Sequence, residues 1–338
     1  MSSLAIFNAA EKFLYITFPC AVFFNSLLIY LTIYHTKKIH KTYQCLIVIF
    51  STDFLIFSIS EFLITPFCHS YNSGFILFAI HEGYEKYKYL QSLFLDFYIG
   101  LFTTVNCFFS VLFIYRYWVL IKSPYLRFFN SWRLVYWIFY SVLCGAFITW
   151  TIYVYCAQDD YAFSYMENAI QRNYGKSLND MPVFYIIVYI PCGDTTCIRW
   201  KGLVYITSLS IIMLISFSIV GYCAINMQLK MKEMLSIHSR SHQNLQRQFF
   251  KALLFQCSAP VLTFFIPVAL IFSTIFTNFK IDFPSGLSFS SFSIYPSVDC
   301  IILMTVVTEY RKAIKRLTGF GKTENYKTTV TATAETKL

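Results

Sequence analysis

The stretch GLVYITSLSIIMLISFSIVGYCAINMQL, residues 202–229, contains no charged side chain. A helix needs roughly 20 apolar residues to cross about 30 Å of hydrocarbon, so this stretch is long enough to span a bilayer. Outward from it, residues 13–34, 134–157 and 252–279 are likewise free of charge. Three further apolar runs hold isolated carboxyls: 43–67 contains Asp53 and Glu61, 90–115 contains Asp96, and 283–308 contains Asp299. The reading is an all-α membrane protein, a bundle of seven transmembrane helices over residues 13–308. Residues 1–12 form a short outer N-terminus and 309–338 a tail, which is polar and expected to be disordered beyond about residue 321.

Composition agrees. The 338 residues are 57% hydrophobic and 20% aromatic but only 13% charged, against about 25% charged in soluble domains. The net charge of +10 does not indicate nucleic acid, because a nucleic-acid binder needs its cations on a water-facing patch. Here Lys and Arg fill short gaps between apolar runs. A β-barrel is disfavoured because the spans lack two-residue alternation. MPVFYIIVYI, residues 181–190, is too short to span and rich in strand formers, so a strand within a large outer loop is expected there. No cleavable signal peptide is expected, since the first apolar run is itself full length.

Lys and Arg bias in short loops sets orientation. The gaps after the first, third and fifth spans, with the tail, hold 19 of the cations, and the other side holds eight. The N-terminus is therefore expected outside and the tail in the cytoplasm. Most of the eleven cysteines lie in apolar runs, where a thiol is a small hydrophobe. Cys192 and Cys197, five apart in the second outer loop, are placed to close a local disulfide outside the cell.

Several residues stand out chemically. Tyr115-Arg116-Tyr117 ends the third span; Arg116 there either snorkels into headgroups or serves signalling. Pro260 and Pro267 each remove a backbone donor from the sixth span, which makes a kinked lever, although proline is also common in membrane helices. Asp53 and Asp299 lie at similar depths. They either meet and share a charge or proton, or stand apart as neutral carboxyls bonded to neighbours. Glu61, Asp96, Tyr98, Phe102 and Phe265 occupy the outer halves of their spans and are candidates to line a ligand pocket; for Glu61 and Asp96 the alternative is hydrogen bonding to Thr, Tyr and Asn groups. His238 and His242 have metal-compatible spacing but no third ligand, so no metal or other cofactor is expected. No His/Asp/Glu cluster lies inside the spans, which argues against an enzyme.

Four passages together resemble the nematode serpentine chemoreceptors of class r (Str type), the family that includes the diacetyl odorant receptor. They are Glu61-Phe-Leu-Ile-Thr-Pro66-Phe-Cys-His69, Tyr115-Arg116-Tyr117, LQRQFFKALLFQ (residues 245–256) leading to Pro260 and Pro267, and Tyr295-Pro296-x-x-Asp299 before a basic tail start. The resemblance implies a G-protein-coupled chemosensory receptor for a small odorant, volatile molecules included, in the ciliary membrane of sensory neurons. With the positions read above, the expected activation switch is Asp53, Arg116, Pro260, Pro267, Tyr295, Pro296 and Asp299, and the expected G-protein face is Arg116, Lys230 and Lys251. Asp53 and the outer loops depart from the family pattern. The rival class, a transporter or channel, is expected to show repeated halves, and none is found here.

The charge split has a direct test. Epitope tags at the N-terminus and in the second outer loop should label intact cells, and a tail tag only permeabilised ones. A tail tag that labels intact cells would reverse the orientation.

Overall fold

The computed structural model describes residues 2–36, 39–80, 87–192, 195–235, 240–276 and 281–319. Five single helices are long and apolar enough to cross a membrane: α1 (Ser3–Tyr34), α2 (Lys41–Ile64), α3 (Lys88–Leu120), α4 (Leu134–Tyr155) and α6 (Trp200–Leu235). Their outward faces are apolar, with Phe139 63% and Leu229 74% exposed. That inside-out surface suits lipid as the solvent.

The sixth and seventh crossings are segmented. α7 (Arg240–Pro260) passes through one π turn, residues Val261–Phe265, into α8 (Ile266–Phe276). Pro260 has no N–H to give the carbonyl of Gln256, so the ladder widens after it and the Ile266 amide bonds back to Val261. The last crossing is built from α9 (Gly286–Ser290), a 3-10 turn and α10 (Tyr295–Val306). A 92° bend then leads to α11 (Thr308–Leu317). α11 buries Tyr310 and Ala313 and exposes Arg311, Lys312, Lys315 and Arg316, the pattern of a helix lying on a membrane surface.

α3 is the central helix, packed on α2, α4 and α6, while α1 and α7 close the ring through α10. The closest approach is between α3 and α4. A Cβ at Gly145 would lie 2.6 Å from the carbonyl oxygen of Gly100 and 2.1 Å from Thr104 Oγ1. Small residues permit such contact where no hydrophobic effect drives helices together.

At the end opposite Arg116 the chain forms a roof. β1 (Pro66–Tyr71), β2 (Gly74–Ala79), β3 (Val183–Ile187) and β6 (Asp282–Phe283) make an antiparallel sheet in the order β3-β2-β1-β6. Asn72 takes the left-handed conformation (φ 49°) in the two-residue turn between β1 and β2, as hairpin turns prefer. Phe75, Leu77, Phe184 and Ile186 face the bundle; Ile76, Phe78, Tyr185 and Ile187 face away. The outer face is covered by α5 (Asp160–Tyr174) through Ala162, Met166 and Ile170, and by Phe7 and Ala10 of α1. β4 (Tyr189–Cys192) and β5 (Thr195–Ile198) form a separate hairpin, which the Cys192–Cys197 disulfide closes.

Several boundaries differ from expectation. α1 begins at Ser3, because Ser2 caps it by accepting the Ala5 amide, so residues 3–12 are helical rather than a separate outer segment. α2 stops at Ile64, where Thr65 turns left-handed (φ 49°), and Pro66 and Phe67 are strand rather than span. The strand expected over 181–190 divides between β3 and β4, which belong to different sheets. His238, Lys37, Lys38, Lys86, Lys280 and the tail beyond residue 319 lie outside the described residues.

The α3–α4 contact generates a prediction. Gly145→Leu forces the helices apart, an overpacking cost of about 1–3 kcal/mol, and should lower the melting temperature of the purified protein by several degrees. Gly221→Leu is the control, because a Cβ there meets nothing within 4 Å. Equal melting of the two variants would remove the close-packing account.

Candidate functional site

Beneath the roof lies a cavity of about 530 Å³. α3 supplies Tyr98, Ile99 and Phe102 to its wall, α6 supplies Tyr205, Leu209 and Met213, and the π turn and α8 supply Phe265 and Phe272. Phe289 and Phe292 close the side, and the inward residues of β2 and β3 form the ceiling. Among the described residues no acid, Lys, Arg or His lines it. The hydroxyl-bearing residues of this otherwise apolar lining are Tyr98, Tyr205, Ser210 and Ser273.

Of the five expected pocket residues, Tyr98, Phe102 and Phe265 line this cavity, whereas Glu61 and Asp96 do not. At 100° per residue, Tyr98 and Phe102 share one face of α3 and Asp96 falls on another. Glu61 sits one layer behind: Tyr98 Oη donates to its Oε1 at 3.2 Å and Ser293 Oγ donates to the same oxygen at 2.7 Å. It therefore joins α2, α3 and the last crossing.

Below the cavity, Phe292 packs on Phe102 (centroids 5.2 Å) and on Tyr295 (5.3 Å). The Tyr295 hydroxyl donates to the Gln256 carbonyl at 2.8 Å, the acceptor released by Pro260. It also lies 3.2 Å from Asp299 Oδ1, and Gln256 Nε2 donates to Asp299 Oδ2 at 2.9 Å. Both oxygens of Asp299 are thus occupied. The structure does not bring Asp53 to them: Asp53 is half-buried and, among the described residues, has no hydrogen-bond or ion-pair partner. Asn25 bonds the Pro296 carbonyl at 3.2 Å, which ties α1 to the same region.

Arg116, only 5% exposed, lies near the other end of the bundle. Its guanidinium stands 3.2 Å from the ring centre of Tyr43 on α2 and 3.8 Å from that of Phe249 on α7. Nη1 donates to Gln246 Oε1 at 3.2 Å; Nε and Nη2 are buried with no acceptor among the described residues. Tyr115 stacks on Tyr43 and meets Phe129 edge-on. The cation is held by aromatic faces instead of a carboxylate. Arg116 is thus interior, while Lys251 is exposed and Lys230 half-buried on the neighbouring helices.

The passage 245–256 supplies most of these contacts from one helix. Gln246 and Phe249 hold Arg116, Gln256 holds Asp299, and Gln248 Oε1 accepts the Thr308 amide at 2.8 Å, at the bend into α11.

The roof has its own polar ties. Asp159 caps α5, accepting the Ala162 amide at 2.9 Å, and pairs with Arg199 and Lys201. Burial raises its carboxyl pKa, but the amide and the two cations outweigh burial and hold it below the ordinary range. His69, 0% exposed, has Nδ1 3.0 Å from Tyr174 Oη and Nε2 3.0 Å from Asp282 Oδ1 without hydrogen-bond geometry. Asp282 is also bonded by Asn173 and lies 3.7 Å from Arg172. Burial lowers the His69 pKa, overcoming the upward pull of Asp282. Sequence reading did not place this knot, nor Gln246, Gln248, Phe249, Tyr43 and Ser293; the 245–256 passage was noted without partners for its residues.

This arrangement is a heptahelical membrane bundle with an apolar cavity at one end and a caged arginine at the other. The chain matches the serpentine type 7TM GPCR chemoreceptor Str family over residues 10–315 and belongs to that family. It is similar to the G-protein coupled receptor str-33 of Caenorhabditis elegans, 36% identical over 303 residues, covering 89% of this chain and 88% of that one. It is also similar to serpentine receptor class r-10 of C. elegans, 26% identical, and of Caenorhabditis briggsae, 25% identical, each alignment covering 81% of this chain and 80% of the relative.

The His69 environment predicts acid sensitivity. Its folded pKa lies below the ordinary 6.5, so its contribution to stability is complete above that value and lost as pH falls below it. Asp159 titrates below the ordinary 3.8 when folded and adds no slope near neutrality. The melting temperature should therefore fall as pH drops below about 6.5, and His69→Asn should flatten that slope. An unchanged slope would assign the acid sensitivity to other groups.

Proposed function

We propose that this chain is a chemosensory receptor that admits a small, neutral, apolar molecule to the cavity and answers through a heterotrimeric G protein. One observation carries the reading: the rod formed by α7, the π turn and α8 lines the cavity with Phe265 and Phe272 at one end and grips Arg116 with Phe249 and Gln246 at the other. A ligand that prefers one setting of this rod shifts the population of the other end.

In the closed setting Arg116 is shut away and, among the described residues, two of its nitrogens have no acceptor. Unmet donors on a buried cation are costly, so swinging α7 outward gains hydration or a new acceptor for them. That gain offsets the loss of the aromatic cage. The opened face presents Arg116 between Lys230 and Lys251, where a helix of the G protein can dock. Pro260 and Pro267 supply the flexure, and Tyr295 and Asp299 register the rod against the last crossing.

The N-terminus and the roof share one end, since Ser3 Oγ donates to Asn173 Oδ1 of α5 at 2.7 Å. With the cations gathered at the Arg116 end, the roof faces outward and the disulfide stands in an oxidising space. The ciliary membrane of a sensory neuron, and volatile ligands, are the setting suggested by the family resemblance.

The cage is testable by basal nucleotide exchange on a co-expressed G protein. Each ring contributes about 1–2 kcal/mol when desolvated. Tyr43→Leu or Phe249→Leu should then raise the open fraction, and basal exchange, about 5–30-fold. Arg116→Ala should abolish exchange at unchanged surface expression. Unaltered basal exchange in both ring variants would dismiss the latch, and a panel of small apolar odorants that never changes exchange would dismiss the receptor reading.

A further inference from the structure

The cavity is closed on its water side and open on its lipid side. Its ceiling residues Phe75, Leu77, Phe184 and Ile186 are 0–3% exposed, and α5 lies over the opposite face of the same sheet. Two layers therefore separate the cavity from the outer solution. The wall between α6 and α8 is different. Ser210 and Phe217 on α6, with Ala269, Ser273 and Phe276 on α8, line the cavity and are at the same time exposed on the outside of the bundle. Phe276 is 42% exposed. A residue that faces both a cavity and the surroundings marks an aperture, and here the small side chains Ser210, Ala269 and Ser273 set its width.

The aperture lies at hydrocarbon depth. Ser210 is ten residues below Trp200, about 15 Å along the helix, and Trp200 stands at the α6 start where an interfacial aromatic is expected. Among the described residues α6 packs mainly on α3 and α4 and α8 mainly on the π turn; a ring contact across the seam, Phe217 edge-on to Phe265 (centroids 4.9 Å), lies at its π-turn end.

We propose that the ligand is a neutral lipophilic molecule that enters from the bilayer, through the seam between α6 and α8, and not from water through the roof. This rests on the cavity being the ligand site, and it narrows the ligand class: the molecule must partition into hydrocarbon before it binds. Polar or charged molecules of the same size are excluded twice, by the cavity's lack of charge and by the route.

The test uses the full chain in lipid nanodiscs and 1-aminoanthracene, a neutral lipophilic fluorophore, read as the signal above receptor-free nanodiscs. Ser210→Trp and Ser273→Trp narrow the seam from opposite helices, and their melting temperatures report that both fold. Each should slow association and dissociation together by about tenfold, since a portal is crossed in both directions. Phe102→Trp, deep inside, should weaken binding mainly through faster dissociation. Seam variants with unchanged association, beside a Phe102→Trp that weakens binding, would overturn lateral entry while leaving the cavity reading intact. If none of the three alters binding, the probe does not occupy the cavity, and the functional reading fails along with the route.

Discussion

The hydroxyl of Tyr295 and the carbonyl of Gln256 make the contact on which the two halves of the molecule depend. A helix interior in hydrocarbon cannot leave a carbonyl unmatched, because no water is present to take its place. Pro260 creates such a carbonyl, and Tyr295 satisfies it from the neighbouring helix. The defect in one crossing thus becomes the fastening to the next. Asp299 then joins through Gln256 and Tyr295, so two breaks in regular helix and one buried carboxyl complete a single polar knot at mid-bundle.

On either side of that knot the chemistry is aromatic. Toward the roof, Phe102, Phe292 and Phe265 give an apolar cavity; toward the other end, Tyr43 and Phe249 enclose Arg116. A carboxylate would hold a guanidinium by a directional bond whose strength depends on a single proton. Two ring faces hold it by shape and polarisability, with no proton to gain or lose. Tyr115 fits this scheme as a stacking support for Tyr43, which accounts for an aromatic residue beside Arg116.

Long-range order in the sequence was read well where one physical rule dominates. Apolar runs of sufficient length, four of them free of charge, marked a helical membrane bundle, and the short spacing of Cys192 and Cys197 suits the bond between them. Where several rules compete, reading stopped short. GFILFA, residues 74–79, is strand, but both faces of β2 are buried, so it shows no alternation to distinguish it from apolar loop. α5 was visible in principle through its Asp159 cap, its apolar spacing and Gly175 at its end, yet it lay inside the stretch read as a large outer loop with one strand. Glu61 was placed in a pocket by depth alone, and rotation about the helix sent it to Ser293 instead. Depth likewise paired Asp53 with Asp299, although depth says nothing about which neighbour a helix face meets.

The roof draws its strands from three separate connections, and its outermost pairing, Ser70 with Phe283, joins the first of them to the third. Pairing of that kind is slow and waits for distant chain to arrive. The β6 edge therefore cannot pair until the sixth crossing is in place, so the sheet is completed over a bundle already largely formed. A change of register in one connection displaces its partners in the other two, and a chimaera that exchanged a single loop would break a sheet instead of transplanting a preference.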